Sequence, residues 1–271
     1  MRERLTVIIP CKNERMNIRP CVESVRHLAD EVLIADSGSQ DGTMEIARSI
    51  GPCRIIEREY VHSGDFKNWA IPQATHPWVL IVDADERVAP ELAGEIRRIL
   101  ECGGPLDGYW IRRENYFQGH RIRFSGWQSD RCLRLFRRDL GRYVGDNDHA
   151  EVRVSSGRVG VLCARLRHFT AWSARHYLRK LDRYASYQAE VWYRAGRKPR
   201  PVKLALIAPF RFAQTYFLRL GFLDGVPGLQ ICALTAFYSF LKQALLWEHH
   251  RAARQPDPEA QAATPRKTSA A

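Results

Sequence analysis

Two aspartates, Asp83 and Asp85, stand one residue apart directly after the apolar run Val79 to Val82 in "WVLIVDADERV". Residues two apart on a strand project to one side, so both carboxylates aim together where such a strand opens into a loop. Unpaired, they repel. A divalent cation with hard oxygen ligands relieves that repulsion, and Mg2+ or Mn2+ commonly takes one or two carboxylates plus the oxygens of a diphosphate. Glu86 extends the acidic group. Carboxylates capped by arginines, or turned away from any cavity, would defeat this reading. D-x-D is also a short pattern that marks ordinary solvated strand ends, and the pair alone leaves both readings open.

Other residues invite the same double reading. "DSGSQDGT" offers small residues for a sharp turn into a helix, with Asp41 as N-cap and Asp36 free to accept hydrogen bonds from hydroxyls; an ordinary turn between strand and helix uses the same residue types. Lys67, in "GDFKNWAI", can neutralise a phosphate or sit as a solvated surface charge.

The elements that must position these groups follow from periodicity. Leu5 to Ile9 is apolar, β-branched and closed by Pro10, which predicts a short buried strand. A helix is expected from about Asn17 as N-cap, because Ile18, Cys21, Val22, Val25 and Leu28 recur at helical spacing. Strands at "EVLIAD", "RIIE" and Val79 to Val82 alternate with helices at "GTMEIARSIG" and about 65–74. Such alternation predicts βαβ crossovers and an α/β fold with a mostly parallel, Rossmann-like sheet, whose ligands gather outside the carboxyl ends of the strands. After a helix at about 90–102, "GYWIRRENYFQGHRIRF" and "RCLRLFRR" read as strands that extend the sheet, with Gly119 at a turn.

Charge divides the chain. Residues 1–150 carry 22 Lys+Arg against 23 Asp+Glu, and residues 151–271 carry 20 against 7. The surplus suits nucleic acid, an anionic membrane or an acidic substrate. From Trp172 the sequence is helical, with Tyr177, Leu181, Tyr184 and Tyr187 or Gln188 on one side, and the basic stretch 194–203 breaks it. Residues 204–223 and 229–247 are the most apolar, yet Arg211, Arg219, Gln230, Lys242 and Gln243 interrupt them. That pattern points to amphipathic helices lying at a membrane interface. The expected division is a catalytic domain over 1–170, a helical membrane-associating region over 171–250 and a disordered tail over 251–271. The seven cysteines, odd in number and without a C-x-x-C pair, are expected as reduced thiols, and the short apolar run near the N-terminus predicts no export signal.

"LTVIIPCKNE", "VLIADSGSQDGT" and "WVLIVDADE", in this order, together resemble the family 2 glycosyltransferases, whose fold is the nucleotide-sugar-binding GT-A type. The resemblance covers roughly residues 5–155. It implies that Pro10, Asn13 and Glu14 line the nucleoside site, that Asp36 contacts the base or ribose, and that Asp83 lies near the ribose and metal with Asp85 as the ligand. The common family form has two acids where this chain has Asp36 and Ser37, and many relatives have a basic residue followed by Asn where Lys67 and Asn68 stand, which makes Lys67 a donor-binding candidate. Inverting transfer needs a base for the acceptor hydroxyl. "YVGDNDHAEVRV" falls where the family presents its catalytic acid, and Glu151, then Asp148, is favoured. His168, in "RLRHFTAW", is a candidate third metal ligand by likeness to C-terminal histidines in some enzymes of this fold.

"GFLDGVPGL" and "FYSFLKQALLWE" look like the lipopolysaccharide-core β-glucosyltransferase branch. The resemblance implies a UDP-hexose donor, UDP-glucose foremost, and a lipid-linked glycan acceptor, at the inner face of the cell membrane on the cytoplasmic side. A polyprenyl-phosphate sugar transferase is the competing enzymatic reading. No nucleic-acid partner is expected, because the aromatics sit in apolar helices and no nucleic-acid motif is present.

Overall fold

A computed structural model describes residues 2–145 and 150–252 of the 271-residue chain. In chain order, the first part comprises β1 (Leu5–Cys11), α1 (Ile18–Val25), β2 (Glu31–Asp36), α2 (Thr43–Ile50), β3 (Arg54–Glu57), α3 (Ser63–Ala70) and β4 (Trp78–Ile81). Then follow β5 (Glu86–Val88), α4 (Pro90–Cys102), β6 (Gly108–Phe117), β7 (His120–Arg121), β8 (Arg131–Arg137), β9 (Gly141–Val144), β10 (Glu151–Val154) and β11 (Val159–Ala171). The helices α5 (Ala174–Arg194), α6 (Pro201–Ala213) and α7 (Gly225–Ala252) complete the set.

The main sheet runs β3-β2-β1-β4-β8-β6-β11-β5, with β7 paired to β6. Its first four strands are parallel, as the βαβ alternation requires. Beyond β4 the order continues antiparallel through β8 and β6, and β5 pairs antiparallel with β11. This is the α/β architecture with a mostly parallel, Rossmann-like sheet that the alternation predicts, with a mixed extension of the sheet. Strand alternation splits the core: Val7 and Ile9 face one side, with Ile18, Val22, Leu92 and Ile96 of α1 and α4. Ile8 faces the other, with Phe66 and Ala70 of α3, Val79 and Ile81. Each such fully buried aliphatic side chain contributes about 1.5–3 kcal/mol, more than local propensity supplies. Hence the apolar strands are where expected, except that β4 is shifted by one residue and β1 runs on through Pro10 to Cys11, because the Pro10 position still pairs in the ladder.

Local details differ from the expectation. Asn17 precedes α1 but makes no side-chain cap; its amide donates to Glu14 Oε2 (2.7 Å) and its Oδ1 accepts from Arg87 Nη2 (3.1 Å). Before α2 the cap position falls to Gly42 in a left-handed conformation (φ 89°), while Asp41 still accepts from Thr43 N (3.0 Å). The strands β9 and β10 form a separate two-stranded sheet.

The described chain divides into two compact units, residues 1–123 with 127–170, and residues 124–126 with those from 171 onward. In the second unit α5 and α6 both pack along α7. The face of α5 that is buried is Tyr177, Leu181, Ala185 and Ala189, while Tyr184 is half-buried. No residue of α6 is buried, and Val202, Leu206 and Phe210 are exposed. Gly221–Arg251 is long and apolar enough, by length and composition, to cross a membrane, a test that core helices of globular units also pass. All seven cysteines are free thiols.

Candidate active site

The two aspartates part company. β4 ends at Ile81, and Asp83 to Glu86 form a tight turn closed by Glu86 N donating to Asp83 O (2.8 Å). Strand alternation therefore does not carry through Asp83 and Asp85, contrary to the expectation that they point together. Arg87 holds this turn from beneath: it is buried, and its Nη1 donates to the carbonyls of Ala84 and Glu86 (both 2.7 Å).

Asp83 is capped by cations, the arrangement that defeats a direct metal role. Lys67 Nζ lies 2.8 Å from its Oδ1, Arg134 Nη2 bonds its Oδ2, and Arg113 Nη2 is 3.8 Å away. Glu86, expected as part of an open acidic group, is fully buried, and it accepts from Arg113 Nε (2.9 Å), Arg134 Nη2 (3.1 Å) and Asp83 N (2.9 Å). In the structure Lys67, Arg113 and Arg134 offset the charge of Asp83 and Glu86. Burial alone would raise the Asp83 carboxyl; Arg134, Lys67 and Arg113 outweigh it and hold it well below the usual carboxylate range. Burial would likewise lower Lys67, but Asp83 overrides it and the ammonium is held up.

This has a sign in pH. The folded pKa of Asp83 lies below its unfolded value of about 3.9, so the unfolded state binds more protons in that window and stability rises with pH. The contribution is complete above about pH 5 and is lost as pH falls through the folded value. Thermal melts between neutral and strongly acid pH should show this loss, and Asp83→Asn should give a shallower acid limb; an unchanged limb would contradict the cluster.

Asp85 has different surroundings. The antiparallel pairing of β11 with β5 sets His168 opposite Glu86, and Phe169 N donates to Asp85 O (2.8 Å). His168 Nε2 then lies 3.4 Å from Asp85 Oδ2. The imidazole is oriented from behind. Asn115 Nδ2 donates to Asp130 Oδ2 (3.0 Å); a carboxylate only accepts, so the amide oxygen must face His168 Nδ1 at 2.6 Å. Nδ1 therefore carries a hydrogen, and Nε2 is the ring atom that faces Asp85 Oδ2. A carboxylate oxygen and an imidazole nitrogen at this distance share a proton or, with Nε2 unprotonated, a cation.

Tested against a divalent ion, the pair fits. No group of three or more His, Cys, Asp or Glu side chains arranged for a metal occurs among the described residues. Mg2+ and Mn2+ need no such cage, since they bind through one or two side chains and complete their shells with phosphate oxygens and water. Cis ligands at bonds of about 2.1 Å stand about 3 Å apart, so the observed 3.4 Å needs little adjustment.

The remaining predicted residues are organised around two loops. Asn13, left-handed at φ 55°, receives Gln40 N on its Oδ1 (2.8 Å) and donates its N–H to Ser39 Oγ (2.9 Å). Glu14 N donates to Thr43 Oγ1 (2.9 Å), and Pro10 lies on β1 opposite Ala35. Asp36, expected to be free for hydroxyls, is buried and accepts from Gly38 N (3.0 Å), Ser39 N (2.9 Å) and Ser39 Oγ (2.5 Å). Lys67 is buried on Asp83, not solvated, with the Tyr143 ring 5.3 Å away. Its neighbour Asn68 exchanges hydrogen bonds with both the N–H and the carbonyl of Tyr143 (both 2.8 Å), which anchors β9. Glu151 is exposed at the start of β10, paired with Val144. Asp148 lies outside the described residues.

Arg87, Arg113, Arg134, Asn115 and Asp130 were missed by the sequence reading. Arginines and an Asn-Asp pair on strands carry no local signature; the available hint was an acidic turn whose charge needed compensation.

The glycosyl transferase family 2 model matches residues 6–157, more than half of the chain, and the chain belongs to that family. It is 29% identical over 258 residues to the lipopolysaccharide core biosynthesis glycosyltransferase LpsC of Rhizobium meliloti (strain 1021), covering 93% of this chain and 95% of that protein. An uncharacterized glycosyltransferase of Rickettsia typhi (strain ATCC VR-144 / Wilmington) is 26% identical, over 91% of this chain and 87% of its own length. Among solved structures, the mannosyltransferase PcManGT of Pyrobaculum calidifontis in complex with GDP-Man and Mn2+ is similar at a TM-score of 0.49 and 20% identity, over 97% of this chain and 79% of that one. Glucosyl-3-phosphoglycerate synthase of Mycobacterium tuberculosis, in complex with Mn2+, UDP and glucosyl-3-phosphoglycerate, gives 0.48 at 16% identity, over 72% and 81%. The family assignment rests on the sequence match.

Proposed function

We propose that this glycosyltransferase is an inverting, metal-dependent enzyme that moves a hexose, glucose from UDP-glucose foremost, onto a lipid-linked saccharide of the lipopolysaccharide-core kind. The observation that carries the reading is the Asp85–His168 pair, a carboxylate oxygen and an imidazole nitrogen 3.4 Å apart. Likeness to LpsC along 93% of this chain, including the helical region, supports the acceptor class. We assign catalysis to residues 1–170 and association with the inner face of the cell membrane, from the cytoplasmic side, to residues 171–250.

Asp85 and His168 would hold the cation, Mn2+ in preference to Mg2+ because one ligand is a nitrogen. When bound, the cation supplies positive charge to the diphosphate as it leaves. Pro10, Asn13, Glu14 and Asp36, on loops laced together by the hydrogen bonds above, form the nucleoside end of the site. Asp83 acts through Lys67 and Arg134, fixing the turn that presents Asp85. Glu151, or Asp148, takes the proton of the acceptor hydroxyl as its oxygen bonds to the anomeric carbon and the bond from that carbon to the diphosphate breaks.

A donor screen with Mn2+ and Mg2+, scored by nucleoside diphosphate release in the presence of a lipid-linked core fraction, tests the proposal. Metal-dependent release only with the core acceptor supports it, whereas release only with polyprenyl phosphate would transfer the assignment to the competing enzyme class.

Asn115 gives a narrower test, because it acts through His168 and not on substrate. Asn115→Ala frees the imidazole tautomer and should weaken Mn2+ affinity about 10–100-fold, read by isothermal titration with Mn2+ in the presence of UDP. Nitrogen NMR of His168 should show the Nδ1–H form in the parent and a mixture in the variant. Equal affinity and an unchanged tautomer would remove Asn115 from this role.

A further inference from the structure

Cations gather around one aromatic ring in the second unit. Trp192, half-buried near the end of α5, has Arg197 Cζ at 5.3 Å, Lys203 Nζ at 5.7 Å and Lys242 Nζ at 5.5 Å from its ring centroid. Lys242 Nζ is also 4.0 Å from the centroid of Tyr238. Among the described residues, Arg197, Lys203 and Lys242 make no ion pair with a carboxylate. The aromatic faces attract each cation separately, but they do not cancel the repulsion between cations. Burial first, then the charges of Arg211 and Lys203, push the pKa of Lys242 down to about 8. An arrangement of this kind is completed by an anion with several acceptor oxygens, for which two ammonium groups and a guanidinium are suited.

The neighbouring surface says what else the ligand carries. Val202, Leu206 and Phe210, four residues apart along α6, are 70%, 59% and 61% exposed. Lys203, one of the three cations, lines a groove of about 590 Å³ together with Leu206, Ile207, Pro209 and Phe210. Arg200 and Lys203 both line this groove, so charge and apolar wall adjoin there, which matches an amphiphile better than a free ion.

We propose that Arg197, Lys203 and Lys242, grouped around Trp192, bind the phosphate of an anionic lipid whose chains lie along the exposed face of α6. The site deepens the membrane reading given above and rests on it. It makes lipid binding a matter of three placed cations, beyond the diffuse attraction of a basic region.

The test uses the full chain and sedimentation with phosphatidylcholine vesicles containing phosphatidic acid. Lys203→Gln combined with Lys242→Gln should weaken binding about tenfold more than Arg175→Gln combined with Arg179→Gln, an equal change of charge at exposed positions of α5. Equal weakening by both pairs would overturn the site in favour of diffuse electrostatics. Dihexanoyl phosphatidic acid should raise the NMR-observed pKa of Lys242 in the parent protein, and inorganic phosphate at the same concentration should do so far less. An equal rise with both would overturn the lipid as the ligand and leave a free-phosphate site. Mn2+-dependent UDP binding should be the same in all variants. Its loss from the parent protein as well would strike the proposed transfer reaction, while the vesicle comparison would still decide the lipid site.

Discussion

Glu86→Ala is expected to destabilise the sheet-bearing unit by about 3–5 kcal/mol, the usual cost of removing one partner from a buried ion pair. Glu86 is fully buried, with Arg113 Nη2 at 2.8 Å and Arg134 Nη2 at 3.1 Å, so truncation leaves two guanidiniums in low dielectric with Asp83 and Asp130 as their remaining acids. For a unit of this size, the loss corresponds to a fall in melting temperature of about 6–20 °C. Glu86→Gln keeps the shape and an acceptor oxygen, and should cost less, about 1–3 kcal/mol. Thermal melts of the two variants measure this directly. If both melted with the parent protein, the charge cluster would not be what holds the turn.

Asp85→Ala is expected to do the opposite: little change in stability and a large loss of reaction. Asp85 lies outside the Lys67, Arg113 and Arg134 cluster and faces His168. If Asp85 and His168 hold the cation as proposed, removing one of them should lower Mn2+-dependent sugar transfer about 1,000-fold, equivalent to about 4 kcal/mol of transition-state stabilisation. Initial rates of nucleoside diphosphate release across a Mn2+ titration check it, alongside calorimetric Mn2+ affinity. A variant with parental rate and parental affinity would take the metal away from this aspartate. The contrast between neighbours two residues apart is the sharp part of the prediction, since Asp83→Asn should lower stability where Asp85→Ala lowers turnover.

The sequence by itself determined the strands and helices of the sheet, because β1, β2 and β4 are short apolar runs whose burial dominates any other local preference. It also singled out Asp85 and His168 as residues to examine, one by its motif and one by resemblance. It could not say that Asp83 and Asp85 would diverge, since a period of two holds only while the backbone is extended and the chain turns at Asp83. It read Asp36 as able to accept from hydroxyls and Lys67 as facing phosphate or solvent; it did not give the bonds that Asp36 accepts from Ser39 or the contact of Lys67 with Asp83.

What only the tertiary structure decided is the company each charge keeps. Arg113 is 27 residues from Glu86, and Arg134 is 51 from Asp83, yet cross-strand pairing of β4, β8 and β6 brings them to one turn. His168 reaches Asp85 only because β11 returns antiparallel to β5. Hydrophobic periodicity fixes which face of a strand is buried and leaves open which strand lies beside it. The partners of a charge are set by that adjacency, and its pKa and chemistry follow from them.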